Sequence, residues 1–252
     1  MADDTLKALW HDADFGQDLV LAAVGGFGRG ELFPYSDVDV LLLLPSGHAD
    51  CIDPGRIEAF IGRCWDAGLE IGSSVRTIDE CLSEAEKDVT VQTSLLESRL
   101  IAGDKKLYTT FRKRFVTAID PQAFFAAKSQ EMRHRHQKYD NTPYALEPNC
   151  KESPGGLRDL QIILWMTKAA GFGSRWDDLA KSGLATVFEV QQIKRNEALL
   201  SLVRARLHVI ANRREDRLVF DLQTAVAATF GYEGISQRKA SEALMRRYYW
   251  AA

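Results

Sequence analysis

The sequence predicts an α+β protein: a small mixed sheet within residues 1–118, then an all-helical domain over 119–252. Three observations lead there. Two strand-like apolar runs stand close together near the start, LVLAAV at 19–24 and VDVLLLL at 38–44. Beyond Asp79 strand signals almost vanish, and apolar residues recur every three to four positions instead. Charge also reverses along the chain: residues 1–100 hold 7 Lys+Arg against 19 Asp+Glu, whereas residues 101–252 hold 25 against 16. At 252 residues the chain is long enough for one large unit or two intimately packed ones, at roughly 150 residues per domain.

The elements follow in order. The first strand runs into the glycine-rich connection GGFGRGELFPYSD, and the second strand closes at Pro45-Ser46-Gly47, a turn signal. Arg56 to Ala67 reads as a helix with Phe60, Ile61 and Cys64 on one face, and LEIGSSVRT at 69–77 as a short strand. Helices are then expected in VTVQTSLLESRLIA (89–102), DKKLYTTFRKRFVTA (104–118), QAFFAAKSQEMRHRHQKY (122–139) and GLRDLQIILWMTKAA (156–170). The longest helix is expected from Thr186 to Glu215, with Val187, Val190, Ile193, Leu199, Val203, Leu207 and Ile210 as its core-facing stripe. Asn141 to Gly156 carries three prolines and Gly155-Gly156, and reads as a loop with a function of its own.

Composition excludes several classes. No apolar run approaches the roughly 18 to 20 residues that a membrane span requires, and Met1 to Trp10 lacks the basic start of a secretory signal. No membrane association and a cytoplasmic location are expected. Cys51, Cys64, Cys81 and Cys150 match neither a zinc ribbon nor a disulfide framework and are expected as reduced thiols. His134 and His136, two apart on a helix, point to different faces and read as solvated, while His208 on an apolar face reads as a core histidine. The basic stretches Lys128–Lys138 and Arg238–Arg247 could meet a partner or face water. Nucleic acid is the weaker reading of them.

The chemistry is expected at the glycine connection. It is no P-loop, because Gly-x4-Gly-Lys-Ser/Thr is absent, and Glu31 stands where a dinucleotide fingerprint needs glycine. About thirteen residues between the strands leave little room for a crossover helix. Ser36-Asp37-Val38-Asp39 opens an apolar strand instead. Residues i and i+2 of a strand share a face about 6.5 to 7 Å apart, so Asp37 and Asp39 project together while Val38 faces the core. Two charges at that separation repel by about 2.4 kcal/mol at an effective dielectric near 20, which favours capture of a divalent cation. Magnesium suits carboxylate oxygens completed by water and phosphate, and Gly25 and Gly26 would let backbone amides approach a triphosphate. Arg29 could hold a phosphate oxygen bidentately.

These residues resemble the signature of the DNA polymerase β-like nucleotidyltransferase superfamily. VGGFGRGELFPYSDVDVLLLL, together with LEIGSSVRT, LLESRLIAGD at 95–104 and CKESPGGLRDLQ at 150–161, is similar to the bacterial PII uridylyltransferase/uridylyl-removing enzyme family over nearly the whole chain. The resemblance implies transfer of UMP from UTP to a tyrosine of the PII nitrogen-signalling protein, with release of pyrophosphate. Carried over by residue, Gly25, Gly26 and Ser36 would adjoin the triphosphate, and Asp37 and Asp39 would ligate magnesium. The resemblance also implies that the uridylyl-removing HD domain and the glutamine-sensing ACT domains are missing, as in a truncated chain. The one His-Asp pair is His11-Asp12, so no de-uridylylation is expected.

A third carboxylate usually follows on a later strand in the superfamily. Glu70 occupies the expected place as a catalytic and metal-binding residue, and Glu97 competes with it. Lys151 and Arg158, flanking Pro154-Gly155-Gly156, are expected at phosphate, because a triphosphate carries more negative charge than one magnesium offsets. Two other readings stay open: adenylyl transfer to a protein, and a nucleotide-binding interaction module without turnover.

Overall fold

The computed structural model describes residues 1–15, 18–47, 53–232 and 237–252. The chain divides into two units, residues 1–32 with 36–120, and residues 33–35 with 121–252. The expected boundary at 118/119 lies two residues before the observed one. That Phe33–Tyr35 groups with the helical unit was not foreseen.

In the first unit the order is α1 (Ala2–Ala13), β1 (Val20–Ala23), α2 (Gly25–Gly28), β2 (Val38–Leu44), α3 (Pro54–Asp66), β3 (Ile71–Thr77), α4 (Ile78–Lys87), α5 (Val89–Leu96), β4 (Arg99–Gly103) and α6 (Lys105–Ala118). The strands form one mixed sheet in the order β3-β2-β1-β4, with β2 and β3 parallel and the other pairs antiparallel. Because β2 is central and covered on both faces, its sequence is a nearly unbroken apolar run. Val38, Val40, Leu42 and Leu44 pack with Leu6 and Trp10 of α1 and Phe60 and Cys64 of α3. Leu41 and Leu43 are equally buried on the opposite face. That second face is the one on which Asp37 and Asp39 stand.

Side-chain caps set most helix starts. Asp53, Asp88 and Asp104 accept from backbone amides two residues on, and Thr77 with Glu80 closes a capping box at the head of α4. Two elements depart from expectation. The segment ahead of the first strand is helix α1, held by Leu6 and Trp10 one turn apart. The expected helix over 89–102 stops at Leu96, and Arg99–Gly103 becomes β4, pairing Ala23 with Arg99 and Val20 with Gly103. Without that strand β1 would leave a row of backbone groups unpaired, so sheet completion overrides local helical pattern. Gly103 adopts φ 94°, and a Cβ there would lie 1.9 Å from the Leu19 carbonyl oxygen.

The second unit contains α7 (Pro121–Gln137), α8 (Leu157–Ala169), α9 (Trp176–Lys181), α10 (Val187–Ala211), α11 (Phe220–Thr229) and α12 (Gln237–Ala251). Its core gathers Cys150, Leu157, Leu200, Val203, Leu207, Leu218, Val226, Leu244 and Tyr248. α10 begins at its Thr186 cap and ends four residues before the expected Glu215, where Asn212 turns left-handed. Val190, Val203 and Leu207 are buried as the stripe required, whereas Val187 in the first turn is exposed. His208 is fully buried, with Nδ1 2.5 Å from the Pro34 carbonyl and Nε2 3.0 Å from Asp216.

The basic stretch 128–138 is solvated only in part: Arg133, His134 and Lys138 are exposed, but others turn inward. Lys128 is buried, pairs with Glu131 at 2.7 Å and sits 4.7 Å from the Trp165 ring centre. Arg135 is buried against Asp159, and His136 reaches the same carboxylate at 3.0 Å, which corrects the expectation of a solvated His136. His134 is exposed. Cys64, Cys81 and Cys150 are free and buried; burial raises their thiol pKa to about 11, about 12 and about 12 respectively. Cys51 lies outside the described residues.

Candidate active site

The alternation read from Asp37-Val38-Asp39 holds: Val38 is buried in the first core while Asp37 is exposed and Asp39 half-buried. Asp37 immediately precedes β2 and Asp39 lies within it. The Val24 amide donates to the Asp39 carbonyl at 3.0 Å, which fixes the end of β1 beside it. The chain then turns at Gly25, whose φ of 55° is left-handed and suits glycine. A Cβ on Gly25 would stand 3.4 Å from Asp39 Oδ2, and one on Gly72 only 2.6 Å from Asp39 Oδ1. Gly72 is the register partner of Asp39 on β3. Two glycines on neighbouring strand and turn therefore leave the space that the Asp39 carboxylate occupies. That clearance suits a hard cation and its waters, which need room around an oxygen ligand.

Helix α2 makes its first internal bond at the Gly28 amide, donated to Val24 O at 2.9 Å. The amides of Gly25, Gly26 and Phe27 thus have no partner within the helix. The other end is held firmly. Gly28 lies against the Glu97 carbonyl, where a Cβ would come within 2.2 Å, and Arg99 donates to the carbonyls of Phe27 (3.3 Å) and Gly28 (3.4 Å). Arg99 itself is forked onto Asp3 of α1 at 2.5 and 3.1 Å. Ser36 is half-buried next to Asp37.

Other expected site residues are placed differently. Arg29 donates to Glu31 Oε2 through Nε and a terminal nitrogen at 3.0 and 2.9 Å, and its Nε is 3.6 Å from Glu97 Oε2. A phosphate at Arg29 would share this guanidinium with two carboxylates. Glu97 is buried beside it as a counter-charge. Glu70 precedes β3; its carbonyl accepts from Val38 N at 2.8 Å, and its register position lies beside Asp37. Its side chain is exposed, and among the described residues no three His, Cys, Asp or Glu converge as a metal site would. Glu70 thus lies at the register position beside Asp37, with its side chain open to solvent.

Lys151 and Arg158, in the second unit, converge on one carboxylate. Glu152 Oε1 lies 3.6 Å from Lys151 Nζ and 3.2 Å from Arg158, which also donates to Gln161 at 3.0 Å and covers the Trp165 ring. Burial, then the neighbouring Arg158, lowers the Lys151 pKa. The Pro154-Gly155-Gly156 turn is built tightly: Asn149 Oδ1 accepts from the amides of Lys151 and Glu152, and Asp159 accepts from Gly155 N. The expected loop is an organised structural turn.

Sequence reasoning missed Ser74, Arg76 and Ser94. They line a cavity of about 360 Å³ with Asp39 and Gly72. The signal was available, since positions 70, 72, 74 and 76 of a strand share a face.

Residues 6–99 match the nucleotidyltransferase domain model, so the first unit carries a domain of that class. The second unit narrows the class, because residues 123–252 match the GlnD PII-uridylyltransferase model. The chain belongs to that family. It is 60% identical over 250 residues to a bifunctional uridylyltransferase/uridylyl-removing enzyme of Cupriavidus pinatubonensis (strain JMP 134 / LMG 1197). It is 61% identical over 250 residues to the enzyme of the same description from Burkholderia mallei (strain ATCC 23344). Each match covers 99% of this chain and 29% of the relative, so the chain spans less than a third of their length. No helix among the described residues is long and apolar enough to cross a membrane.

Proposed function

We propose that this chain transfers UMP from UTP to a tyrosine of the PII signalling protein in the cytoplasm, releasing pyrophosphate. The observation that carries the reading is the Asp37/Asp39 face with the Asp39 carboxylate accommodated between Gly25 and Gly72. Membership of the GlnD PII-uridylyltransferase family supports the acceptor and the base.

Asp37 and Asp39 would hold magnesium, and the ion when bound supplies charge stabilisation to the phosphates and the attacking oxygen. The chain's own residues do the rest. Gly25 and Gly26 offer backbone amides to the triphosphate, with Ser36 beside them. Gly28, seated on the Glu97 carbonyl, and Arg99, bonded to the far end of α2, keep those amides fixed. The tyrosine oxygen attacks the α-phosphorus, the bond to the bridging oxygen of the β-phosphate breaks, and pyrophosphate departs. Glu70, at the register position beside Asp37, is the carboxylate assigned to accept the tyrosine proton. Lys151 and Arg158 act through Glu152 as a braced basic cluster in the second unit.

Incubation of the 252-residue chain with labelled UTP or ATP, magnesium and PII tests this. Label on a PII tyrosine from UTP is the expected result. Asp37→Asn or Asp39→Asn should lower transfer by at least about a thousandfold, several kcal/mol of charge stabilisation, with the melting temperature nearly unchanged. Label from ATP in place of UTP would move the reading to adenylyl transfer, and nucleotide binding without transfer would favour an interaction module.

A further inference from the structure

The cavity beside Asp39 is lined by a guanidinium, that of Arg76, which has no role in the transfer described above. β3 is one of the two edge strands of the sheet, and its residues 72, 74 and 76 share the face to which Asp39 belongs. Gly72, Ser74 and Arg76 line the cavity from β3, Val91, Ser94 and Leu95 from α5. Its wall thus combines one guanidinium, three serines (Ser73, Ser74 and Ser94) and the Asp39 carboxylate, within about 360 Å³.

The two arginines near the aspartates differ in what surrounds them. Arg29 is committed to Glu31 and Glu97. Arg76 is half-buried and makes no hydrogen bond or ion pair within 4 Å among the described residues. The acidic group that feels its charge, Glu80, is already engaged by the Thr77 amide and hydroxyl at 2.7 and 3.0 Å. A half-buried guanidinium with no direct ion pair is open to an anionic ligand. Directional donors and a positive charge around a magnesium-binding carboxylate match phosphate oxygens.

We propose that Arg76, with the hydroxyls of Ser74 and Ser94, holds a phosphate oxygen of the nucleotide in the cavity beside Asp39. The inference rests on the nucleotidyltransferase reading and adds the positive charge that Arg29 does not supply freely.

The test is equilibrium binding of UTP, and separately of inorganic pyrophosphate, to the 252-residue chain with magnesium. Arg76→Gln should weaken both about ten- to a hundredfold, the range for a hydrogen bond to a charged group, and Arg76→Lys should recover part of the loss. The melting temperature should stay within about 2 °C, because Arg76 leaves no broken pair behind. Arg29→Gln should lower the melting temperature instead. If Arg76→Gln binds both ligands as wild type does while Asp39→Asn loses them, the inference is wrong and the nucleotide reading stands. If Arg76→Gln weakens binding only in proportion to a fall in melting temperature, and Arg76→Lys recovers nothing, the role is structural and the inference is again wrong. Failure of the unmodified chain to bind UTP or pyrophosphate would remove both.

Discussion

Inward cations close on carboxylates in both units, as Arg29 does on Glu31 and Glu97 in the sheet unit, but the sheet unit also sets Asp39 and Arg76 along one cavity. In the helical unit four inward cations meet a carboxylate of the same unit: Lys128 with Glu131, Arg135 with Asp159, Arg158 with Glu152, and Arg204 with Asp216 at 2.6 Å. In the sheet unit Asp37, Asp39 and Arg76 stand on one face of β2 and β3, and the last two line a cavity. Charges that close on one another fix a scaffold. Charges that line a cavity are available to a ligand, and the sequence pattern alone, basic here and acidic there, does not distinguish the two.

The comparison can be broken most severely at Arg204 and Asp216. Arg204→Ala leaves the Asp216 carboxylate without its cation and should cost about 3–5 kcal/mol, the usual loss on removing one partner of a buried pair. At about 2–4 °C per kcal/mol for a protein of this size, the melting temperature should fall by roughly 6 to 20 °C in a thermal scan. A fall of less than a degree would mean that the pair is not scaffold.

The same pair sets an acid limit. Burial raises the Asp216 pKa, but hydrogen bonds from His208 and Arg204 outweigh it and hold the carboxyl well below the usual range. A depressed carboxylate contributes stability that is full above its unfolded value of about 3.9 and is lost as pH falls through the folded value. Denaturant midpoints measured from about pH 5 downwards should therefore decline in the parent chain and decline less steeply in Asp216→Asn.

Gly72→Ala sharpens the contrast from the other side. The new methyl would fall 2.6 Å from Asp39 Oδ1, so the carboxylate must move. Transfer should drop by about a hundredfold, as for a displacement near 1 Å, while stability holds or rises slightly, since alanine suits a strand better than glycine. Paired kinetic and melting measurements would show it. Smallest is Thr186→Ala at the head of α10, expected to cost about 1 kcal/mol through loss of the cap and to leave transfer untouched. A change in its KM for UTP would mean that the helical unit acts on nucleotide through more than its stability.

How much could be read beforehand depended on the range of the interaction. The face shared by Asp37 and Asp39 was legible, because a period of two is a local property of the strand. Val38 and Val40 needed only that alternation. β4 was not legible, because RLIAG follows a helix directly and becomes a strand only by pairing with β1, some eighty residues away in sequence. The first helix was missed because Leu6 and Trp10 are its only fully packed residues, a thin signal beside the strong strand that follows. The partners of Arg29 were legible only in part: Glu31 is a neighbour in the sequence, but Glu97 reaches it from the end of α5. Parity likewise put Glu70 on the face of the aspartates, at the register position beside Asp37.

The grouping of three residues bears on how this protein can be taken apart. Phe33 lies against the Arg204 guanidinium at 4.2 Å, Pro34 offers its carbonyl to His208, and the Tyr35 hydroxyl donates to Asn212 at 2.7 Å. All three residues fall between the glycine turn and Asp37. A fragment ending at residue 120 would therefore keep every strand and both aspartates yet lose the anchors of the segment leading into them. Any inactivity of such a fragment would report an untethered loop rather than an absent catalytic group.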